Sequence, residues 1–160
     1  KTDYRSQVPG ALLVDYTHEF DFLRAIFGEV ADVHCWANDL GGREKRCSPA
    51  LAATLLRFKS GAIVSVHMDY VQHPQRRTLE VYGDRRSLEL DLETDMLRVF
   101  DPAEPGGVRA QAFDHDRNNR FRAEHRDILD AVLTGRPPRV TGTDGLKALE
   151  IAVRAIESSR

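Results

Sequence analysis

Apolar residues recur at helical spacing near the start of the chain. Between Ala11 and Phe27, the large side chains that return every three or four positions are Leu12, Tyr16, Phe20, Leu23 and Phe27. This spacing places them on one face of a helix over residues 11–27, and Gly28 provides a C-terminal stop. The opposite face carries Thr17, Asp21 and Arg24, so we expect these three side chains to face solvent.

Two more apolar stripes lie near the end of the chain. The first consists of Phe121, His125, Ile128, Leu129, Val132 and Leu133. It predicts a helix that ends at Gly135, before the Pro137-Pro138 pair. The second stripe consists of Leu146, Leu149, Val153 and Ile156. Thr141 stands three residues before Asp144, which predicts an N-terminal cap with an acid near the positive end of the helix dipole.

The region between these helices has the alternation and the regular turn residues of a β-rich segment. The predicted strands are Val30 to Asn38, Ala50 to Phe58, Ile63 to Val71, Thr78 to Tyr82, Ser87 to Leu92, Met96 to Phe100 and Val108 to Phe113. Connections such as Lys59 to Gly61 are too short for crossover helices, so neighbouring strands should pair antiparallel. The sequence therefore predicts an α+β domain: one large, open, mostly antiparallel sheet with helices packed on one face. What covers the other face stays open at this point.

Composition narrows the class of protein without changing this fold. The chain has 160 residues, of which 41% are hydrophobic and 30% charged, enough for one folded domain over residues 1–160. No apolar run reaches the length of a membrane span, and the first ten residues lack the apolar stretch of a signal peptide. Acidic and basic residues are interspersed, 25 against 23, so no basic stripe favours nucleic acid. We expect a cytoplasmic protein that binds neither a membrane nor nucleic acid.

The cysteines and histidines do not follow the spacing of a metal or redox site. Cys35 and Cys47 form no C-x-x-C pair, and we expect free, reduced thiols. A cross-strand disulfide is the alternative, and it would need a secreted setting. No H-x-x-x-H or H-E-x-x-H spacing occurs, so we expect no metal.

Asp15 and His18 are the candidates for acid–base chemistry. They lie on the flank of the first predicted helix, beside residues that favour burial, and their i, i+3 spacing makes them neighbours. A carboxylate beside an imidazole stabilises its protonated form, which suits proton transfer near neutral pH. The structural alternative is a histidine on a packed helix flank that only bonds to Asp15 or to a strand backbone.

Two polar segments are weaker candidates. Alternation places Ser65, His67 and Asp69 on one face of a predicted strand, where they would be solvated or would meet a partner subunit. The loop from Gln72 to Arg77 is crowded with hydrogen-bond donors that suit a polar or acidic substrate group, although such loops are often only solvated. The chain contains no nucleophile motif and no G-x-G-x-x-G.

Three stretches in register resemble one family. They are Gly10 to Val30, which contains the sequence D-Y-T-H-E, then Asp69 to Gly83, and then Asp127 to Pro138 followed by Asp144 to Glu150. Together the chain resembles the C-terminal domain of the Gfo/Idh/MocA oxidoreductases, the glucose-fructose oxidoreductase and inositol dehydrogenase family. The resemblance implies a fold like the C-terminal domain of glyceraldehyde-3-phosphate dehydrogenase. It also implies an NAD(P)-dependent enzyme whose N-terminal Rossmann domain, absent from this chain, binds the cofactor.

The resemblance also implies roles for individual residues. His18 matches the histidine that accepts or donates the proton, and Asp15 matches the acid that assists it. The expected contacts to a polyhydroxylated substrate are Asp21, His73, Gln75 and Arg76, with Tyr4 and Arg5 closing over the pocket. The open sheet face would form the interface of a homo-oligomer.

This chain departs from the family pattern in three places. The common spacing is Asp-x-x-x-His, whereas this chain has Asp-x-x-His, as does a branch with D-Y-S-H-E. Arg86 replaces the usual glycine in a strand turn, which bears on that turn's left-handed geometry. The dinucleotide fingerprint and the Glu-Lys-Pro segment, whose lysine assists catalysis, do not occur in this sequence.

The function that follows from the resemblance is a substrate-binding and oligomerisation domain. We expect the whole enzyme to transfer hydride to or from a carbinol carbon of a sugar, polyol or cyclitol, and the isolated chain to be inactive. The alternative is a non-catalytic dimerising or ligand-binding module of the same fold. A hydrolase or lyase that uses the Asp15 and His18 pair is a more distant possibility.

Overall fold

The computed structural model describes residues 10–39, 49–113 and 116–160. In these residues the helices are α1 (Ala11–Asp15), α2 (Thr17–Phe27), α3 (Arg117–Thr134) and α4 (Gly142–Ser158). The strands are β1 (Val30–Asn38), β2 (Leu51–Phe58), β3 (Ile63–Asp69), β4 (Thr78–Tyr82), β5 (Ser87–Asp91), β6 (Met96–Phe100) and β7 (Val108–Ala112). The chain divides into two compact units, one built from the residues up to Val71 with Pro137–Arg160, the other from Gln72–Arg136.

The first unit is built on an antiparallel sheet in the order β1-β2-β3. Alternation along β2 buries one face, made of Ala52, Thr54, Leu56 and Phe58. Helices α1 and α4 pack on this sheet, and the ring of Phe27 in α2 lies 5.4 Å from that of Phe58. The opposite face exposes large side chains, among them Trp36 (68% exposed) and Ile63 (70% exposed). Helices therefore cover only one face of this sheet, as the sequence predicts.

The final turns of α4 lie along the outer edge of β1. Arg154 Nη2 donates a 2.7 Å hydrogen bond to the carbonyl oxygen of Ala31. The backbone N–H of Cys35 donates to Ser158 Oγ at 3.1 Å. Side chains of a helix thus satisfy backbone groups on the edge strand of the sheet.

The second unit contains an antiparallel sheet in the order β4-β5-β6-β7, together with α3. One face of this sheet carries polar and aromatic residues such as Glu80, Tyr82 and Arg98, and the other carries leucines and valines. Helix α3 begins at Asp116, whose side chain accepts from the N–H of Asn118, and ends at Gly135 with φ 70°. The Gly135 stop is therefore confirmed.

The seven predicted strands are confirmed to within two residues at each end. They are divided between two hydrogen-bonded sheets, whereas the sequence predicts one. The division falls after β3, where Asp69 Oδ1 accepts a 2.8 Å hydrogen bond from the N–H of Val71 and turns the chain out of the ladder. Pro74 follows in the connection and has no N–H to donate to a strand.

The apolar stripes of the last two helices differ from expectation. In α4 the buried side chains are the small ones and one isoleucine: Ala148, Ile151, Ala152 and Ala155. The predicted residues Leu146, Leu149 and Val153 are between 41% and 56% exposed. In α3, Ala131 is buried, while Val132 and Leu133 are about four-fifths exposed. Close packing on β1 favours small residues, which a search for large apolar side chains overlooks.

Candidate active site

The predicted first helix is interrupted at Tyr16, between Asp15 and His18. Tyr16 has φ −100° and ψ 26°, outside the helical region, and it separates α1 from α2. Its N–H donates to the carbonyl of Leu12, and its own carbonyl accepts from the N–H of Glu19 at 3.0 Å. Because the helix does not run straight through this position, the i, i+3 geometry expected for Asp15 and His18 does not apply.

His18 lies at the start of α2 with 55% of its side chain exposed. Its Nε2 is 3.3 Å from Glu19 Oε1, and only 18% of the Glu19 side chain is exposed. The ring of Tyr16 lies beside the His18 ring, with the two centroids 5.5 Å apart and the planes tilted by 47°. The imidazole is thus accessible while an aromatic ring and a carboxylate restrict its position.

Asp15 is held by a residue from the end of β3. Tyr70 Oη donates a 2.8 Å hydrogen bond to Asp15 Oδ2. The ring of Tyr70 also lies 5.7 Å from that of Tyr16. The structure therefore groups Asp15, Tyr16, His18, Glu19 and Tyr70, with Tyr70 in contact with Asp15 at the end of α1 and with Tyr16 at the helix break.

Arg24 is buried, so the prediction that it faces solvent is wrong. Its guanidinium donates to Glu29 Oε1 at 2.9 Å and to Asp21 Oδ1 at 3.3 Å. These partners neutralise the charge and allow the side chain to be buried. Asp21, a predicted substrate contact, is therefore part of an ion pair with Arg24, and its side chain is 36% exposed.

The predicted substrate loop belongs to the second unit. His73, Gln75 and Arg76 are exposed, and the peptide bond between His73 and Pro74 is cis. Gln75 Nε2 lies 3.4 Å from Glu93 Oε1 and donates to it. Tyr4 and Arg5 lie outside the described residues.

The cysteines, the possible metal ligands and the possible membrane spans were the other predictions from the sequence. Cys35 is a buried free thiol that accepts from Thr54 Oγ1 at 3.3 Å, and burial raises its pKa. Cys47 lies outside the described residues. Within the part of the chain that the structure describes, His, Cys, Asp and Glu side chains form no cluster of three that could hold a metal ion. None of the described helices combines the length and apolarity needed to cross a membrane.

The cavities of the two units lie away from His18. One of about 190 Å³ lies beside the start of α1, lined by Gly10, Leu13, Ala37, Pro49, Ile156, Ser159 and Arg160. Another of about 250 Å³ lies on the four-stranded sheet, lined by Glu80, Tyr82, Ser87, Leu88, Glu89 and Phe100. His18 lines neither of these two cavities.

Sequence reasoning did not identify Glu19, Tyr16 and Tyr70 as neighbours of the candidate pair. Glu19 follows His18 directly, and adjacent residues point in different directions on a regular helix, so the spacing of the two residues did not predict their contact. Tyr70 lies 55 residues from Asp15 in the sequence. The only signal in the sequence was that Tyr70 directly follows the polar residue Asp69 in a predicted strand.

The N-termini of α3 and α4 do not fit the phosphates of a dinucleotide. Such groups bind where a glycine-rich loop meets the N-terminus of a helix. The chain has no G-x-G-x-x-G, and α3 and α4 begin with carboxylates from Asp116 and Asp144 that already accept backbone N–H groups. A negatively charged pyrophosphate would be repelled at both helix ends.

Comparison with known proteins gives a match over nearly the whole chain. The model of an oxidoreductase family, for its C-terminal alpha/beta domain, matches residues 2–160. Myo-inositol 2-dehydrogenase of Thermotoga maritima is 29% identical over 159 residues, covering 95% of this chain and 48% of that protein. The chain therefore spans about half the length of the curated relative it matches.

Solved structures share the fold. Levoglucosan dehydrogenase in complex with NADH and L-sorbose superposes with a TM-score of 0.79 at 21% identity, covering 89% of this chain and 46% of that one. UDP-N-acetylglucosamine 3-dehydrogenase GnnA from Acidithiobacillus ferrooxidans has a TM-score of 0.76 at 21% identity, with 92% and 48% covered. Identity at this level establishes the α+β fold.

Proposed function

Because this chain belongs to the Gfo/Idh/MocA oxidoreductase family as a C-terminal alpha/beta domain, we propose that it supplies the substrate side of an NAD(P)-dependent enzyme. The substrate is a sugar, polyol or cyclitol, in line with the myo-inositol dehydrogenase relative. The cofactor, NAD or NADP, binds mainly to a Rossmann domain outside these 160 residues and supplies the hydride acceptor or donor. The observation that carries the proposal is the accessible imidazole of His18, which contacts Tyr16 and Glu19.

His18 exchanges the hydroxyl proton of the substrate. With Nε2 directed at Glu19, the neutral imidazole presents Nδ1 as the base that takes the proton during oxidation and returns it during reduction. Asp15 supports the positive charge that His18 then carries, and Glu19 adds a second carboxylate. Asp21, His73, Gln75, Arg76, Tyr4 and Arg5 are proposed to contact the substrate.

Replacing His18 tests the proposal. In the full-length protein, assayed with NAD⁺ and NADP⁺ against a panel of sugars, polyols and cyclitols, His18→Ala should lower turnover by about 10² to 10⁴. His125→Ala is the control, because His125 is an exposed histidine on α3 whose Nδ1 lies against the carbonyl of Phe121. Turnover and a pH-rate profile that both survive His18→Ala would reject this role.

Two isosteric variants decide which acid supports His18. We expect Asp15→Asn to lower kcat by about tenfold, because it removes the charge while its shape is kept. Glu19→Gln removes the carboxylate that lies 3.3 Å from Nε2, and we expect it to have a smaller effect. A larger loss with Glu19→Gln would move the supporting role to Glu19.

The isolated chain should be inactive and should not bind the dinucleotide. The N-termini of α3 and α4 do not suit a pyrophosphate, since the carboxylates of Asp116 and Asp144 occupy them. Calorimetric titration of residues 1–160 with NAD⁺, NADH, NADP⁺ and NADPH should show no tight binding. Full-length protein that oxidises or reduces none of these substrates, yet binds polyols or dimerises, would favour the non-catalytic module.

The exposed face of the first sheet is proposed to form the homo-oligomer interface. Trp36, Leu55 and Ile63 expose apolar side chains on that face, at 68%, 42% and 70%. Their strands are aligned in register, so the three side chains share one surface. An apolar face on a folded domain favours association with another protein surface, and a second copy of the same protein is the proposed partner.

A further inference from the structure

The position of Tyr70 is fixed by the strands of the first unit. Its N–H donates a 3.0 Å hydrogen bond to the carbonyl of Ala50, just before β2. On one side Asp69 ends β3, and on the other the N–H of Val71 is held by the carboxylate of Asp69. The backbone of Tyr70 is therefore anchored by the sheet and by the turn that follows it.

From this anchor the Tyr70 side chain contacts the end of α1 and the residue at the break between α1 and α2. Its hydroxyl donates to Asp15, the last residue of α1, at 2.8 Å. Its ring lies at 5.7 Å and 45° to the ring of Tyr16, the residue at the break itself. A hydrogen bond to a carboxylate is stronger than one between neutral groups, and this one is partly buried.

The ring of Tyr16 carries this restraint to His18. The two rings lie 5.5 Å apart and tilted, a geometry that aromatic pairs favour. The backbone hydrogen bonds of Tyr16 to Leu12 and Glu19 do not fix its side chain, so the contact with the ring of Tyr70 restricts the Tyr16 ring further. A displacement of Tyr16 would therefore change the position of the imidazole.

We propose that Tyr70 is a positioning residue for His18, acting through its hydroxyl on Asp15 and its ring on Tyr16. This inference rests on the proposed function of His18 as the group that moves the proton. Proton transfer needs the imidazole within a few tenths of an ångström of its productive position. A Tyr16 ring that Tyr70 holds in place beside the imidazole therefore contributes to turnover. Tyr70 need not touch the substrate to have this effect.

The test compares two tyrosines in the full-length protein. Tyr70→Phe removes the hydrogen bond to Asp15 and keeps the ring. Tyr82→Phe is the matched control, because Tyr82 Oη also donates to a carboxylate, that of Glu80 at 2.5 Å, on the exposed face of the other sheet. We expect Tyr70→Phe to lower kcat about 3- to 30-fold with KM changed less than about twofold, and Tyr82→Phe to leave both within about twofold.

A spectroscopic readout follows the imidazole directly. With ¹³C-labelled histidine, the His18 ring resonance is assigned by its loss in His18→Ala. It should shift in Tyr70→Phe and shift further in Tyr70→Leu, which also removes the ring contact, while Tyr82→Phe leaves it in place. If Tyr70→Leu fails to fold, the double variant Asp15→Asn/Tyr70→Phe tests whether Tyr70 acts through Asp15. Its fold-loss in kcat should be smaller than the product of the two single fold-losses.

The outcomes separate this inference from the proposed function. If His18→Ala loses turnover and Tyr70→Phe behaves like Tyr82→Phe in kcat and in the His18 resonance, the positioning role is rejected and the role of His18 stands. If His18→Ala keeps its turnover, the proposed function fails, and the resonance alone decides whether Tyr70 positions the ring. An unmoved resonance then overturns the inference, and a shifted one supports it.

Discussion

Arg24 Nη1 donates a 3.1 Å hydrogen bond to the backbone carbonyl oxygen of Asp144, 120 residues further along the chain. The same guanidinium binds Glu29, which also accepts from Lys147 Nζ at 2.8 Å. One buried cation therefore joins α2, the turn before β1 and the first turn of α4. These hydrogen bonds hold α2 and α4 together.

Removing this cation should destabilise the first unit. Arg24→Met keeps much of the side-chain volume, and only 7% of the arginine side chain is exposed. We expect the free energy of unfolding to fall by roughly 1–3 kcal/mol, because the carbonyl of Asp144 loses the arginine donor and Glu29 keeps only Lys147. Urea unfolding measures it, with Arg98→Met as the control. Arg98 forms an exposed pair with Glu89, worth at most about 1 kcal/mol. Equal losses in the two variants would contradict the prediction.

Acid should weaken the start of α4. The hydroxyl of Thr141, which donates to Asp144 Oδ2 at 2.7 Å, lowers the pKa of that carboxyl from its ordinary value of 3.8, and the N–H of Thr141 adds to the effect. A pKa lowered by folding stabilises the protein above the unfolded-state value, and this contribution disappears as pH falls through the folded-state value. Lys147 and Arg24 likewise lower the pKa of Glu29.

Asp144→Asn isolates this contribution. The variant should be less stable than the wild type at pH 7, and the difference in the free energy of unfolding should vanish as pH falls below 3.8. Glu157→Gln, which removes a carboxylate at an exposed position of the same helix, is the control. A difference between Asp144→Asn and the wild type that stays constant from pH 7 to pH 2.5 would contradict the assignment.

Gly10 is restricted twice, by its backbone and by a neighbouring side chain. It has φ +77°, and a Cβ added there would lie 2.4 Å from Cδ1 of Ile156. Gly10→Ala should cost roughly 2–4 kcal/mol, the sum of a left-handed conformation and an overpacked contact. Gly61, with φ +92° and open space around it, should cost only about 1 kcal/mol when changed to Ala. In the double variant, Ile156→Ala should recover part of the stability that Gly10→Ala loses. If the two losses in free energy of unfolding simply add, the contact with Ile156 does not matter.

The exposed face of the first sheet predicts a change in assembly. Trp36→Ser should shift the full-length protein towards smaller species at micromolar concentration, because it removes an aromatic anchor from the proposed interface. Leu133→Ser on α3 is the control, since Leu133 is 82% exposed and lies outside that face. Sedimentation velocity measures both variants. An unchanged distribution for Trp36→Ser would place the interface elsewhere.

Local patterns in the sequence predict most elements of this fold. Alternation and turn residues place β1, β4 and β6 at the bounds that the structure has. The cap at Thr141 is confirmed as a full capping box with Asp144, because such a signal depends only on residues three apart.

Features that depend on distant contacts are not predicted. Tyr16 breaks the first helix without a proline or glycine, and its ring contact with Tyr70 comes from the end of β3. Arg24 is buried because its guanidinium donates hydrogen bonds to Glu29 and to the carbonyl of Asp144. Neither partner is visible in a helical projection of α2. The candidate site is therefore foreseen in His18 and Asp15 but not in the residues that hold them.

The helix that runs beside β1 has a consequence for solubility. Arg154 and Ser158 bind the backbone of Ala31 and Cys35, so an extended peptide from another molecule cannot dock there as an additional strand. Loss of the last three residues, from Ser158 onwards, would bare the amide of Cys35. The exposed N–H would then be a free hydrogen-bond donor on the edge strand, where a strand from another molecule could pair.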